Sequence, residues 1–193
     1  MQVRGSYNLA RQRMDFPGRR QLMPESVRIL GFDPGTRISG YGIIDAGVGG
    51  ELSVVSYGAI RLQPSGGKIA IPQRLRNLYE ALDEIIREHR PGVLAVEKIF
   101  HGRSFDSVMK VGEARGVGLL VGSLHNLEIE EYAATRIKKS VTGSGQASKS
   151  QVQSMMTRLL NLAEPPHPQD VTDALAIAFC YAQGLRRIDL STS

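Results

Sequence analysis

The sequence is poor in the residues from which several kinds of site are built. It has no tryptophan, and Cys180 is its single cysteine. One cysteine excludes a disulfide within the chain and a zinc site of several thiolates, and it fits a reducing, intracellular compartment. The four histidines show none of the paired spacings of zinc ligands. No apolar stretch reaches the roughly 18 residues of a membrane span, so we expect no membrane partner.

The chain has an excess of positive charge. Its 193 residues include 24 lysines and arginines against 19 acidic residues, which gives a formal net charge of +5 and a pI near 9.6. A basic surface favours a polyanionic partner such as nucleic acid, although the same balance also fits a merely basic protein. The length suits one domain with a substantial core.

The first 25 residues differ from the rest of the chain. Residues 1–25 contain five arginines but little apolar periodicity, and they lack the continuous apolar segment of a secretory signal. We expect a basic, disordered extension; an organelle transit peptide and a translation start at Met14 or Met23 are alternatives. The remainder is predicted to form one domain over residues 26–187, followed by a tail at 188–193.

Two short apolar strands each end in a carboxylate. A strand over 27–33 is predicted to end at Asp33, where an ordinary Asp-Pro-Gly turn follows. Strands over 39–46 and 52–62 extend it into three consecutive antiparallel strands. The run at 93–96 has the continuous apolar character of a buried parallel strand, and it delivers Glu97 at its end.

The remaining periodicity predicts helices and one more strand. We expect helices over 70–89, 104–122, 149–161 and about 169–184, and a strand over 127–132. The helix over 104–122 contains Gly112, Gly116 and Gly118, and each interior glycine costs about 1 kcal/mol relative to alanine. Such a cost indicates close packing, either of a second copy of the chain or of the chain's own sheet.

Two further carboxylates begin the last helix. Asp170 and Asp173 are three residues apart and share one face, where they could simply compensate the helix dipole. The turns that follow are apolar almost all round, so the helix is expected to be buried, and buried carboxylates repel each other unless a cation compensates. With Asp33 and Glu97 they would form a site for hard divalent cations, Mg²⁺ or Mn²⁺. Two such ions about 3.5–4 Å apart can activate water and stabilise the leaving oxygen of a phosphodiester.

These motifs resemble, in order and spacing, those of the RuvC family of Holliday-junction endonucleases over about residues 27–185. The matching segments are Ile29 to Gly42, Ala95 to Phe100, Gly112 to Val117, Glu131 to Ala134, Lys138 to Gly145, Lys149 to Val152 and Gln169 to Ala176. The resemblance implies an α/β, RNase H-like fold. In such a fold a five-stranded mixed sheet, three antiparallel strands and then parallel additions, is flanked by helices.

The same resemblance implies an activity and its partners. It implies a cytoplasmic homodimer that acts in DNA recombination and repair. The dimer would nick two like-polarity strands of a four-way DNA junction symmetrically, with Mg²⁺ as cofactor and a branch-migration helicase complex of the RuvA and RuvB type as partner. The family's catalytic and metal-binding tetrad falls on Asp33, Glu97, Asp170 and Asp173. Some relatives carry histidine in place of Asp170, so the role of that residue is the least fixed.

The resemblance also places DNA contacts and a dimer surface on the chain. The candidate DNA-binding residues are Phe100, Arg103, Lys138, Lys139 and Lys149. An aromatic ring in the loop after Glu97 can stack on a splayed base, which is worth roughly 1–3 kcal/mol, and lysines beside a Gly/Ser loop suit phosphate contacts. A core phenylalanine and a solvated basic face are the alternatives. The dimer helix falls on 104–122, with candidate interface residues Val108, Gly112, Arg115, Gly116 and Leu119.

Three other functions fit part of the pattern. A different RNase H-like nuclease would need neither the glycine-rich helix nor the loop at Phe100. An actin-like ATPase or sugar kinase shares the turn from Asp33 to Thr36, but it requires a duplicated lobe for which 193 residues leave no room. A junction-binding protein without catalysis would have no use for four carboxylates.

Overall fold

The computed structural model describes residues 26–47, 49–63, 67, 69–98 and 105–191. The predictions for residues 1–25, Phe100 and Arg103 therefore lie outside the described residues. Within them, the chain forms five strands and five helices. In chain order these are β1 (Ser26–Asp33), β2 (Ile38–Gly47), β3 (Leu52–Arg61), α1 (Ile71–His89), β4 (Val93–Glu97), α2 (Phe105–Leu124), β5 (Glu128–Tyr132), α3 (Ala134–Thr142), α4 (Lys149–Leu159) and α5 (Gln169–Ser191).

The strands form one mixed sheet in the order β3-β2-β1-β4-β5. The first three strands pair antiparallel, and β1 with β4 and β4 with β5 pair parallel. Short connections allow antiparallel neighbours, whereas each parallel neighbour is reached through a crossover helix, α1 or α2. The predicted fold class is confirmed.

Helices cover both faces of the sheet, because successive side chains of a strand point to opposite faces. Ile29, Ile44 and Ala95 pack on the face covered by α3, α4 and α5. Leu30 and Phe32 pack on the face covered by α1 and α2. The core is therefore two apolar layers, one on each side of the sheet.

Helix α5 lies directly on the backbone of β1 and β2, at positions where the strands carry glycine. A methyl group on Gly31 would collide with the Ala174 carbonyl oxygen and lie 2.7 Å from the Ala178 nitrogen. One on Gly42 would lie 2.7 Å from Leu175 Cδ2. Since Gly31 and Gly42 are paired across the two strands, they form a single bare patch on which the helix sits.

The glycines of α2 have different surroundings. A methyl group on Gly118 would lie 2.6 Å from Phe32 Cε1, so this glycine packs on the chain's own sheet. A methyl group on Gly116 would meet no described heavy atom within 4 Å. Among the side chains of α2 whose exposure the structure describes, the large apolar ones that are exposed are Met109, Leu120 and Leu124, at 52%, 54% and 59%.

The end of the last helix and one additional helix differ most from the sequence predictions. The last helix was expected to end near residue 184 with a tail from 188, but α5 continues to Ser191, since a glycine such as Gly184 weakens a helix without ending it. Residues 134–142, where we predicted only basic contacts, form α3, which buries Ile137 and Val141 four residues apart. None of the described helices combines the length and the apolarity that crossing a bilayer requires.

Replacement of Gly31 by alanine tests the contact between α5 and the sheet. We expect a loss of stability beyond the about 1–3 kcal/mol typical of overpacking, because the new methyl group meets backbone atoms that cannot move aside. Chemical denaturation measures the loss. Gly92→Ala is the control, since a methyl group there meets no described atom within 4 Å. Equal stability of the two variants would contradict the packing described.

Candidate active site

Asp33 and Glu97 lie side by side at the carboxyl ends of β1 and β4. The two strands pair in parallel from Ile29 with Val93 to Phe32 with Val96, and one further step in this register brings the two carboxylates together. Side chains of a strand point alternately to its two faces, so Asp33 and Glu97 point to the same face as Ile29 and Val93, the face that α5 covers. The local sequence, an apolar strand that ends in an acid, therefore places each carboxylate at the edge of the sheet under α5.

Asp170 and Asp173 reach the same place from the first turns of α5. A methyl group on Gly40, the residue paired with Asp33, would collide with the Asp170 carbonyl oxygen. The start of the helix is thereby held against the end of the sheet. All four predicted carboxylates line one cavity of about 530 Å³.

This arrangement disfavours the charged form of Asp33. Burial raises the pKa of Asp33 well above its ordinary value, and the charges of Asp173, Asp170 and Glu97 raise it further. Lys149 acts in the opposite direction. The protein thus holds a carboxylate where its charged form is disfavoured, which is typical of a functional site.

The ammonium group of Lys149 places a positive charge beside the carboxylates. Its Nζ donates a hydrogen bond to Asp173 Oδ2 at 3.0 Å. Burial lowers the pKa of Lys149, but the hydrogen bond to Asp173 and the charges of Asp173, Asp33 and Asp170 outweigh this and leave the pKa raised. Lys149 is the first residue of α4, whose start is fixed by a capping box between Ser148 and Gln151.

The predicted basic residues are only partly gathered at the site. Lys138 lines the cavity together with Lys149, while Lys139 is exposed on the same helix as Lys138. Lys98 is exposed directly after Glu97. Of the described part of the predicted DNA-binding set, Lys138 and Lys149 therefore lie at the cavity with the carboxylates.

Arg115, predicted at a dimer interface, lies behind Glu97. Its Nε donates to the Glu97 carbonyl oxygen at 3.3 Å, and its guanidinium pairs with the Glu131 carboxylate at 2.6 Å. Its side chain is only 17% exposed. Arg115 thus joins α2 to the ends of β4 and β5, a contact that the sequence pattern did not indicate.

Ser39 is a second residue that the sequence analysis missed. It is fully buried, and its hydroxyl accepts a hydrogen bond from the Gly35 nitrogen at 3.1 Å and donates one to the Gly35 carbonyl at 3.2 Å. It fixes the turn that follows Asp33. A serine next to a glycine in a strand is too ordinary a pattern to have revealed this.

The donor set fits a hard divalent cation in its chemistry, because it consists of carboxylate oxygens and carries a repulsion that such an ion would relieve. Within the described part of the chain, no three acidic, histidine or cysteine side chains are grouped closely enough to hold a metal ion. Asp173 is instead paired with Lys149. Metal binding would therefore require the carboxylates to turn towards each other and Asp173 to exchange its partner.

The sequence profile of the family described as "Crossover junction endodeoxyribonuclease RuvC" matches residues 29–181. The chain belongs to the RuvC family. The RuvC protein of Alkaliphilus metalliredigens is 46% identical over 154 residues, which cover 80% of this chain and 92% of the relative. That of Nitrosomonas eutropha is 44% identical over 160 residues, covering 83% and 86%.

Solved structures agree with the RuvC assignment. Thermus thermophilus RuvC superposes with a TM-score of 0.74 at 27% identity, over 83% of this chain and 96% of that one. The same protein in complex with its Holliday junction substrate gives a TM-score of 0.76. A yeast mitochondrial Holliday junction resolvase, at 12% identity and a TM-score of 0.64, shares the fold over 85% of this chain and 81% of its own.

These comparisons establish the class of protein. The fold is RNase H-like, as predicted. The chain is a crossover junction endodeoxyribonuclease, and its function is Holliday junction resolution. RuvC proteins are metal-dependent nucleases. A match over so much of the chain counts against the ATPase, sugar kinase and general nuclease alternatives.

Replacement of Asp33 by asparagine should stabilise the metal-free protein near neutral pH. Because the pKa of Asp33 is raised in the folded protein, the ionised form of Asp33 lowers the free energy of unfolding. This loss begins as the pH rises above 3.8, the ordinary pKa, and it stops growing once the pH exceeds the pKa in the folded protein. The gain of the variant should follow the same profile, with each kcal/mol raising Tm by about 2–4 °C in a domain of this size. Thermal denaturation in EDTA across pH measures it.

The exposed Glu164→Gln change is the matched control, since it removes one negative charge outside the cavity. Its Tm should stay near that of the wild type. An Asp33→Asn variant that is less stable than the wild type at neutral pH would contradict the repulsion described.

Proposed function

We propose that the chain cuts Holliday junctions by hydrolysis that depends on Mg²⁺, for which Mn²⁺ can substitute, and that Asp33, Glu97, Asp170 and Asp173 are the metal ligands. The convergence of these four carboxylates from β1, β4 and α5 on one cavity carries the proposal. Asp33, Glu97, Asp170 and Asp173 would hold two divalent ions there, whose chemistry would be to activate a water and stabilise the leaving oxygen of the phosphodiester.

The protein's own groups account for the remaining requirements of the site. Asp33 is the buried ligand, and the charge of a bound ion would relieve the repulsion that raises its pKa. Lys149 occupies Asp173 and thus competes with an ion for this carboxylate. Lys138 lines the cavity, which supports its proposed contact with a phosphate beside the scissile bond.

We extend this proposal to the DNA surface around the cavity. Lys138, Lys139 and Lys149, together with Phe100 and Arg103, are the proposed contacts to the junction. Contacts from lysine to phosphate position the DNA without reading its sequence. Stacking on Phe100 would favour the splayed bases of a branch point over a continuous duplex.

Cleavage of synthetic junctions tests the metal ligands. End-labelled four-way junctions and matched linear duplexes are incubated with the protein in EDTA, Ca²⁺ or Mg²⁺. We expect binding without cleavage in Ca²⁺ and paired symmetric nicks in the junction alone in Mg²⁺. Asp33→Asn should lower the rate by about a thousandfold, the size expected when several kcal/mol of metal-derived stabilisation is lost, with junction binding retained.

Glu164→Gln again serves as the control and should cut at the wild-type rate. Cleavage by Asp33→Asn at the wild-type rate would remove Asp33 from the ligand set. Equal cutting of the linear duplex would leave the metal site in place but contradict junction selectivity.

We also propose that the protein acts as a homodimer through the outer face of α2. Symmetric cleavage of two strands needs two active sites, and α2 exposes Met109, Leu120 and Leu124 beside Gly116, where a partner can approach closely. The sequence analysis predicted Val108 and Leu119 at the interface, together with Gly112 and Arg115. Val108 and Leu119 are partly buried, and the exposed residues are the next ones along the helix, Met109 and Leu120. These predicted residues would flank the contact, with Gly116 at its centre.

A charge placed on this face should separate the dimer. We expect Leu120→Glu to sediment as a monomer and to lose the pairing of the two nicks, because a buried, unpaired carboxylate opposes association. Leu159→Glu, which changes a leucine of similar exposure on α4, is the control and should remain a dimer. A dimeric Leu120→Glu protein would place the interface elsewhere.

The proposed cellular setting follows from this activity. We propose that the protein acts in the cytoplasm, in recombination and DNA repair, on junctions delivered by a branch-migration helicase complex of the RuvA and RuvB type. The basic charge of the chain supports a nucleic acid partner.

A further inference from the structure

The turn of residues 34–37, called here the catalytic turn, joins Asp33 to β2 and forms one wall of the carboxylate cavity. It belongs to no strand or helix, so its shape depends on contacts from outside. Ser39 holds Gly35 on both sides. The Leu62 nitrogen donates to the Arg37 carbonyl at 2.9 Å. A contact to Thr36 completes the set.

That contact comes from Arg74 in the first turn of α1. Its Nη1 donates to the Thr36 carbonyl at 3.2 Å, across 38 residues of sequence, and its Nε donates to the Ile69 carbonyl at 3.0 Å. The guanidinium is partly buried in a second cavity of about 470 Å³ on the other side of the catalytic turn. A planar guanidinium presents several donors in a fixed geometry, so it can bind both carbonyls at once, which a lysine ammonium does less well.

The catalytic turn lies next to two members of the proposed metal-ligand set. Asp33 directly precedes it. A methyl group on Gly35 would collide with the Ile38 carbonyl and lie 3.7 Å from Asp170 Oδ1, so the turn also packs beside the Asp170 carboxylate. A shift of the Thr36 carbonyl therefore changes the separation of Asp33 and Asp170.

We propose that Arg74 is a positioning residue for the metal site. By holding the Thr36 carbonyl it fixes the catalytic turn, and thereby sets the positions from which Asp33 and Asp170 can close on a divalent ion. The proposal rests on the metal-dependent function above and adds a residue from the opposite side of the sheet. Residues that orient metal ligands are typically worth about 10–100-fold in metal affinity or activity.

The experiment compares Arg74→Met and Arg74→Lys with Arg76→Met. Arg76 lies two residues further along α1, is exposed and pairs only with Glu80 at 2.8 Å among the contacts of the described residues. Each full-length protein is titrated with Mg²⁺ without DNA, and the rise in Tm gives the metal midpoint. Junction affinity in Ca²⁺ and the single-turnover cleavage rate in Mg²⁺ are measured in parallel.

For Arg74→Met we expect a Mg²⁺ midpoint raised about tenfold or more and a cleavage rate lowered by a similar factor. Junction affinity and metal-free Tm should match those of Arg76→Met. Arg74→Lys should lie between Arg74→Met and the wild type, because its ammonium group can donate to one of the two carbonyls. If Arg74→Met does not fold, the Mg²⁺ midpoint of Arg74→Lys tests the proposal instead.

Two outcomes would overturn the positioning role. One is a Mg²⁺ midpoint in the Arg74 variants equal to that of Arg76→Met. The other is weaker junction binding with an unchanged Mg²⁺ midpoint, which would make Arg74 a DNA contact. Failure of the proposed function is seen separately in the wild type: if Mg²⁺ neither raises its Tm nor supports cleavage, the metal site is refuted, and the role of Arg74 with it.

Discussion

The structure depends on the direct contact between α5 and the bare backbone of β1 and β2. Side chains at Gly31, Gly40 or Gly42 would push the helix away from the sheet, since a methyl group at each meets atoms of α5 at close range. The helix is buried along most of its described length, from Val171 to Ala182. Because its first turns are thereby fixed at the end of the sheet, two carboxylates of a helix meet two carboxylates of strands that are remote in sequence.

This close contact brings four carboxylates together in a cavity, where water screens their mutual repulsion poorly. The raised pKa of Asp33 is the consequence, and it identifies the site as one that lowers the stability of the metal-free protein. Other acids of the chain are placed differently: Asp45 is paired with Arg28 at 2.8 Å, and Asp83 with Arg87 at 3.0 Å. These two acids have a basic partner, whereas Asp33 lies among other carboxylates, as expected where function opposes stability.

The sequence predicted the sheet and the gathering of the four carboxylates, because both follow from local signals. An apolar strand that ends in an acid and an acidic first turn of a buried helix can be recognised within ten residues or so of chain. The roles of Ser39, Arg74 and Arg115 could not be predicted in this way. Each acts on a backbone carbonyl or nitrogen of another segment, and a backbone group leaves no signature in the sequence. The exposed face of α2 was displaced by one position for a related reason: the orientation of a helix about its axis is set by packing, here of Gly118 on Phe32.

The hydrogen bond between Lys149 and Asp173 has a thermodynamic consequence for the reaction. An ion that takes over Asp173 releases the ammonium group, which can then neutralise a phosphate of the DNA. Conversely, a phosphate that attracts Lys149 leaves Asp173 available to the ion. If Asp173 binds the ion and Lys149 the DNA, as proposed, the two binding events would be coupled through a single side chain, and by linkage each would strengthen the other by the same factor. Such reciprocity would let the DNA itself complete the metal site, so that full catalytic competence arises only on the bound substrate.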